Sequence, residues 1–247
     1  MTESNHNQEF PLKGARGSVI IYKTPSWLTA FTTGRDSGVE ALGLKLEDLA
    51  LPRQVHSDNV LWMHEAGRPE ATDAVITDKP GLCVCVKTAD CIPVLLYDTR
   101  KRIVAAVHSG WRGTVSRIVQ KTIEQMKPLN PCDLHAIIGP GISLEWFEVG
   151  DEVYEAFKEE GFPMERIAPL QTSPQGGRLS RLSFPPPRGK GLHIDLWEAN
   201  KWLLEEMGVS DIYIEGTCTR ACENFYSARR ETINTGRNYN GILINEE

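Results

Sequence analysis

The chain has 247 residues, with 27 Lys plus Arg against 33 Asp plus Glu and a formal net charge of -6. Hydrophobic residues at 40% and charged residues at 24% belong to a chain that buries its own core, which excludes wholesale disorder and a coiled coil. An acidic balance offers no footprint for wrapping nucleic acid, so any bound anion must meet a local basic cluster.

The length predicts one domain over 16–247 behind a flexible stretch at 1–15. The longest apolar runs, 81–86 and 93–97, fall far short of the ~20 residues that span a bilayer. The start MTESNHNQEFPLKG lacks a secretory pattern, so a cytoplasmic location is expected. Six cysteines, Cys83, Cys85, Cys91, Cys132, Cys218 and Cys222, are too few for a disulfide scaffold, which turns attention to thiol or metal chemistry.

In chain order, SVIIYK (18–23) reads as a strand, 31–51 carries only turn signals, and VLWMHE (60–65) and AVITD (74–78) are further strands. GLCVCVKT (81–88), IPVLLYD (92–98) and RIVAAVHS (102–109) form the core sheet, with a hairpin whose tip lies near Lys101. GTVSRIVQKTIEQM (113–126) places Val115, Ile118, Val119, Thr122, Ile123 and Met126 on one helical face, and Pro128 stops it. A strand at 134–139 leads through the GPGIS loop into a helix over 149–161 closed by Gly161. The aperiodic segment 172–191, crowded with Gly, Pro, Ser and Arg, is expected to be a surface loop or flap. A helix over 193–208 points Leu196, Ala199, Trp202, Leu203 and Met207 inward, and strands at 211–217 and 241–245 end the chain. Consecutive strands without strict βαβ alternation predict an α+β fold with an antiparallel or mixed sheet. No GxGxxG follows a strand and no GxxxxGK[ST] occurs, which disfavours dinucleotide and P-loop readings.

Three segments each set a metal-ligand type at or beside a strand: QVHSDN with His56, KTADCIP with Cys91 and AVHSGWRG with His108. They stand 35 and 17 residues apart, so only a folded sheet brings them together. Two imidazoles and a thiolate leave a fourth tetrahedral position for a water that Zn²⁺ acidifies toward neutrality. By spacing alone His6, His64, His135 and His193 are equally available, and a metal-free hydrolase with Cys91 as nucleophile and His108 or His56 as base stays open. Cys83 and Cys85 read as core residues, and Cys218 with Cys222 lacks the second pair of a structural zinc site. Arg112 beside Trp111, and the late cluster Arg220, Arg229, Arg230 and Arg237, offer either an oxyanion clamp or a solvated edge. The glycines of GPGIS and TGR would let backbone N–H groups face an anion.

TADCIPV, HSGWRG, GPGIS with EVG, and FYSARR followed by TGR together resemble the laccase-domain family, known as multicopper polyphenol oxidase and as purine nucleoside phosphorylase with adenosine deaminase activity. The match runs in order from Phe31 to Leu243. The resemblance implies a layered α/β/β sandwich of mixed sheets with flanking helices, distantly like cysteine hydrolases. It implies His56, Cys91 and His108 as ligands of Zn²⁺, or of Cu²⁺ in its place. It further implies phosphorolysis of adenosine, inosine and methylthioadenosine together with deamination of adenosine, with Cys91, His108 and Asp90 catalytic, Asp90 moving the proton. Arg112, Arg229, Arg230 and Arg237 are the expected substrate and phosphate contacts, with nucleoside and phosphate as small-molecule partners of a monomer that binds neither nucleic acid nor membrane. One departure stands out: FTTGRDSGVE is followed by only a short stretch before Gln54, and Arg35 stands in, one position shifted, for the family's arginine. Competing readings are a copper-dependent polyphenol oxidase, for which six histidines are few, a peptidoglycan-precursor editing hydrolase using the same Cys and His, and a metal-stabilised binding module.

Overall fold

The computed structural model describes residues 18–127, 130, 133–169 and 191–246. The segments 1–15 and 172–190, with His6 and Cys132, lie outside the described residues, so the flexible start and the flap belong to the sequence reading only.

Two mixed sheets stack on each other, and β10 (Glu148–Val149) pairs with β11 (Leu192–His193) in a separate short ribbon. The first runs β1 (Val19–Ile21), β2 (Leu28–Thr33), β13 (Asn238–Ile244), β6 (Cys83–Thr88) and β3 (Leu49–Ala50), with only β3 parallel to its neighbour. The second runs β12 (Asp211–Ile214), β9 (Leu134–Ile138), β7 (Ile92–Asp98), β8 (Ile103–Ser109), β5 (Ala74–Thr77) and β4 (Val60–Trp62), parallel only at its two edges. Side chains alternate across a strand, and that period sorts the core into layers. Val75, Leu95, Tyr97, Val104 and Ala106 meet Ala30, Val84, Val86, Ile242 and Ile244 between the sheets. Ala74, Ile76, Ile92, Val94, Leu96, Ala105 and Val107 face the other way, in one cluster with residues of α2 (Ile118–Met126), α3 (Asp151–Glu159), α4 (Met164–Ile167) and α5 (Leu196–Glu206). On the far side of the first sheet, Phe31, Cys83 and Cys85 pack with Val39, Leu49 and Leu51. This is the expected α/β/β layering, and Cys83 and Cys85 are core residues, their thiols raised chiefly by burial. No helix among the described residues is long and apolar enough to cross a membrane.

The β7–β8 hairpin forms as expected, with Asp98 Oδ1 accepting the N–H groups of Arg100 and Lys101 at 2.8 and 2.7 Å. Three elements differ from expectation. The helix over 113–126 is broken in two: α1 (Trp111–Val115) ends at Ser116, and Arg117 adopts φ 60 before α2 begins. That left-handed residue is held by its own side chain, which donates to Gln120 Oε1 at 3.1 Å and to the Glu160 carbonyl at 2.8 Å and lies over the rings of Phe162 and Trp202. Strand β2 escapes sequence reading because half of LTAFTT is threonine, so no apolar run marks it; the buried Thr32 and Thr33 hydroxyls are satisfied by Asn240 and by the Tyr239 N–H. The last strand begins at Asn238 rather than 241, since Asn238 and Asn240 are buried polar residues: the Asn240 side chain accepts from Thr32 Oγ1 at 2.8 Å and donates to Thr88 Oγ1 at 3.0 Å.

Gly241 sits where β13 passes beneath Phe31. A Cβ there would come within 2.7 Å of Phe31 Cε1, closer still to Cζ, and 3.1 Å from Cys83 Sγ. Gly241→Ala is therefore expected to destabilise the fold by about 1–3 kcal/mol through overpacking, read as a lowered urea midpoint with unchanged slope; an unchanged midpoint would show that Phe31 yields freely.

Candidate metal centre

Residues from three separate strands and loops converge at one end of the second sheet. His108 is the penultimate residue of β8, Cys91 immediately precedes β7, and His56 sits in the loop before β4 at φ 62. The β7–β8 register pairs Pro93 with His108 and so carries Cys91 to the turn after His108. The donor atoms of His56, Cys91 and His108 all lie within 4.8 Å of one another, and they are the one such His/Cys/Asp/Glu group among the described residues. Cys91 Sγ is 3.8 Å from His56 Nε2, and the two imidazole rings stand edge to face with centroids 4.9 Å apart. Metal–nitrogen bonds of about 2.0–2.1 Å and metal–sulfur bonds of about 2.3 Å in a tetrahedron separate donors by roughly 3.3–3.7 Å, so this set fits a zinc-like ion after a small inward movement.

Asp73, which the sequence reading passed over, holds the arrangement together. It is wholly buried and lies opposite His108, because β5 and β8 pair Ala74 with Val107. Its Oδ1 is 2.8 Å from His108 Nδ1 and accepts the His56 N–H at 3.0 Å. Its Oδ2 accepts the Val55 and Ser57 N–H groups at 3.2 and 2.8 Å and the Ser57 hydroxyl at 2.7 Å. The bond to Nδ1 leaves His108 Nε2 for a metal, the carboxylate–histidine pairing common behind metal-bound imidazoles. Burial alone would raise the Asp73 carboxyl, but the bonds from His108 and Ser57 outweigh it and bring it down to about 2. Desolvation opposes charge on Cys91 and His108 as well; the charge of His108 and hydrogen bonds from His108 and His56 pull the thiol down, while the charge of Cys91 and the bond to Asp73 pull the imidazole up. The cysteine is thereby biased toward thiolate, the form that binds metal. A signal for Asp73 did exist: a ligating histidine commonly gives its second ring nitrogen to a carboxylate, carbonyl or water, and only the pairing of AVIT with IVAAVHS identifies Asp73 as the residue beside His108.

Close backbone approach completes the centre. A Cβ on Gly110 would stand 3.0 Å from Cys91 Sγ and 3.2 Å from His56 Cδ2, so a side chain there would press both ligands out of place by a few tenths of an ångström. Behind that turn, Ser109 Oγ donates to Asn200 Oδ1 at 2.7 Å and pairs with Thr114 Oγ1 at 2.9 Å, which ties the turn to α5.

The remaining expected site residues are placed as follows. Asp90, at φ 89, accepts the Thr219 hydroxyl at 2.7 Å on one oxygen and the Arg229 N–H at 2.6 Å on the other. Arg230 spends its guanidinium on the carbonyls of Thr219, Arg220, Cys222 and Phe225 and on Glu231. Arg237 donates to the carbonyls of Ile233, Thr235 and Gly236 in its own turn. Arg229 reaches the Trp146 and Glu148 carbonyls at 3.3 and 3.1 Å. Arg35 pairs with Glu231 and lies over the Tyr226 ring. Arg112 is exposed, with its guanidinium 4.3 Å over the Trp111 ring and no side-chain hydrogen bond among the described residues. The N–H groups of GPGIS do not face an anion: those of Gly139, Gly141 and Ile142 donate to the carbonyls of Pro93, Thr217 and Asp90, and that of Ser143 to Cys218 Sγ. Cys218 Sγ also lies 3.1 Å from Ser143 Oγ, and neither it nor Cys222 joins a metal-ligand group among the described residues.

The family model described as "Multi-copper polyphenol oxidoreductase laccase" matches residues 30–245. A Bacteroides thetaiotaomicron protein named purine nucleoside phosphorylase is 40% identical over 218 residues, 81% of this chain and 74% of that one. Adenosine deaminase RL5, from an unidentified prokaryote, is 39% identical over 217 residues, 81% of this chain and 77% of its own. Among solved structures, Neisseria meningitidis protein NMB0706 superposes with a TM-score of 0.76 at 26% identity, covering 92% of this chain and 99% of that one. The Bacillus licheniformis hypothetical protein YfiH, at 22% identity, shares the fold with a TM-score of 0.77 over 92% of this chain and 96% of its own. On the model match and the 40% identity, the chain belongs to the laccase-like family of multi-copper polyphenol oxidoreductase proteins.

Proposed function

We propose that this protein is a metal-dependent purine nucleoside phosphorylase that also deaminates adenosine, with zinc as the metal. The observation that carries the reading is the convergence of His56, Cys91 and His108 with Asp73 behind them, in a chain 40% identical to a protein named purine nucleoside phosphorylase and 39% identical to one named adenosine deaminase. His56, Cys91 and His108 would hold the ion. When bound, zinc supplies a Lewis acid that activates water near neutral pH, the chemistry that amine displacement from a purine requires. Asp73 keeps His108 in the tautomer with Nε2 available and holds the 55–57 loop in register. Arg112, exposed and stacked on the Trp111 ring one residue beyond Gly110, has donors to spare for a hydroxyl or oxyanion. We assign Asp90 to anchoring the Cys91 loop rather than to moving protons, since both its oxygens accept hydrogen bonds from the chain. Arg229 and Arg230 are assigned likewise to folding the C-terminal loops.

Purified, metal-quantified protein given adenosine is expected to release adenine and ribose 1-phosphate only when phosphate is present, and inosine in either buffer. Cys91→Ala and His108→Ala are expected to lower both product rates at least about a hundredfold and to lose stoichiometric metal. A fully metal-loaded protein that yields neither product overturns the assignment and favours the hydrolase of peptidoglycan precursors.

Asp73→Asn is expected to cost about 2–3 kcal/mol of stability at neutral pH and 10–100-fold in metal affinity. The carboxyl is lowered in the fold to about 2 from an ordinary 3.8. Its stabilisation is therefore fully present above the unfolded value and lost as pH falls through about 2. Denaturation midpoints of parent and Asp73→Asn should thus converge between about pH 4 and 2; a constant gap would show that the charge on Asp73 contributes nothing.

A further inference from the structure

Backbone pairing gathers four cations beside the His56 loop. The chain over 51–53 pairs with 67–69: Leu51 N–H donates to the Gly67 carbonyl at 2.9 Å, Gly67 N–H to the Leu49 carbonyl at 3.0 Å and Arg53 N–H to the Pro69 carbonyl at 2.9 Å, which sets Arg68 alongside Arg53. Gln54 then clips this ribbon to β6, its Nε2 donating to the Lys87 carbonyl and its Oε1 accepting the Lys87 N–H, both at 2.8 Å. On the other side of β6, Lys87 is paired with Tyr239, two residues from Arg237. Arg53, Arg68, Lys87 and Arg237 are thereby drawn from four separate stretches of an acidic chain to one place. Gln54 is only two residues from His56, so their Cα atoms are at most about 7 Å apart.

The charges there are poorly matched by acid. Arg53 pairs with Glu70 at 3.0 Å, on a rim where both side chains are largely exposed. Lys87 and Arg68 make no side-chain hydrogen bond or ion pair among the described residues, and Arg237 commits its donors to its own turn, so it contributes charge rather than bonds. Lys87 is half-buried; burial first, then the charges of Arg68, Arg237 and Arg53, depress its ammonium. Like charges held together by the backbone, with donors left over, are what an oxyanion neutralises.

We propose that Lys87 and Arg68, flanked by Arg53 and Arg237, form an oxyanion subsite beside the metal centre that takes inorganic phosphate. As a phosphate subsite it rests on the phosphorylase reading. Phosphate held there supplies the oxygen that bonds to the anomeric carbon as the glycosidic C–N bond breaks. The electron pair of that bond leaves with the purine, and the proton of monohydrogen phosphate ends on the base. The sequence pointed to Arg112, Arg229, Arg230 and Arg237; of these only Arg237 flanks this cluster, while Arg230 gives its guanidinium to chain carbonyls and Arg229 its Nη1.

The test measures phosphorolysis against phosphate concentration, and binding of inorganic phosphate by calorimetry, in parent, Lys87→Gln, Lys87→Met, Arg68→Met and, as a control cation on the α3 surface, Lys158→Met. The Lys87 and Arg68 variants are expected to raise the KM for phosphate about tenfold or more and to weaken phosphate binding by the same factor, so that the ratio of phosphorolysis to deamination falls. Lys158→Met should match the parent. A parent that phosphorolyses, with KM for phosphate unchanged within twofold in folded Lys87→Gln and Arg68→Met, overturns the subsite and leaves the phosphorylase reading standing. A parent that binds phosphate through Lys87 and Arg68 yet never phosphorolyses keeps the anion site and overturns the phosphorylase reading.

Discussion

The candidate centre depends on one buried carboxylate. Asp73 accepts three consecutive backbone N–H groups, a hydroxyl and the Nδ1 side of His108, so one side chain fixes both a ligand and the loop that carries another. A buried carboxylate is costly unless its oxygens are satisfied, and here that requirement becomes a positioning device. His56 adopts a left-handed backbone that an ordinary residue avoids, and the carboxylate's grip on residues 55–57 offsets the strain.

The stacking of the two sheets determines where this can happen. The inter-sheet core and the helix-facing core use opposite faces of β5, β7 and β8, so those strands are apolar along their whole lengths and rigid in register. Polar chemistry is confined to their ends, where Asp73, Cys91 and His108 emerge within bonding distance. Glycine at 110 admits the turn that covers the thiol, and the Ser109–Thr114–Asn200 network stops that turn from drifting away from α5.

The arginines show how backbone satisfaction competes with ligand binding for the same donors. Arg230 and Arg237 sit in sequence as an oxyanion clamp would, yet their donors go to the carbonyls of loops that have no regular partner of their own. A long loop must satisfy its carbonyls, and a planar fork with five donors does so economically. Lys87 and Arg68 drew no notice in the sequence because each is solitary in its neighbourhood; the sheet and the 51–53 with 67–69 pairing bring them together.

Period and composition determined much of this protein: the apolar runs at 92–98 and 102–109, the hairpin at Lys101, a helix within 193–208 that the structure sets at Leu196–Glu206, and the mixed α+β class are local or near-local properties. Motif resemblance marked His56, Cys91 and His108 and the family. Strand β2 was hidden because buried, hydrogen-bonded threonines interrupt its apolar run, and the break at Arg117 was hidden because contacts with Glu160, Phe162 and Trp202 override helix propensity. Asp73, the spent arginines and the basic cluster around Lys87 were decided by the tertiary structure alone. Each depends on which strand lies beside which and which donors remain once the backbone is satisfied, and those pairings join residues tens of positions apart.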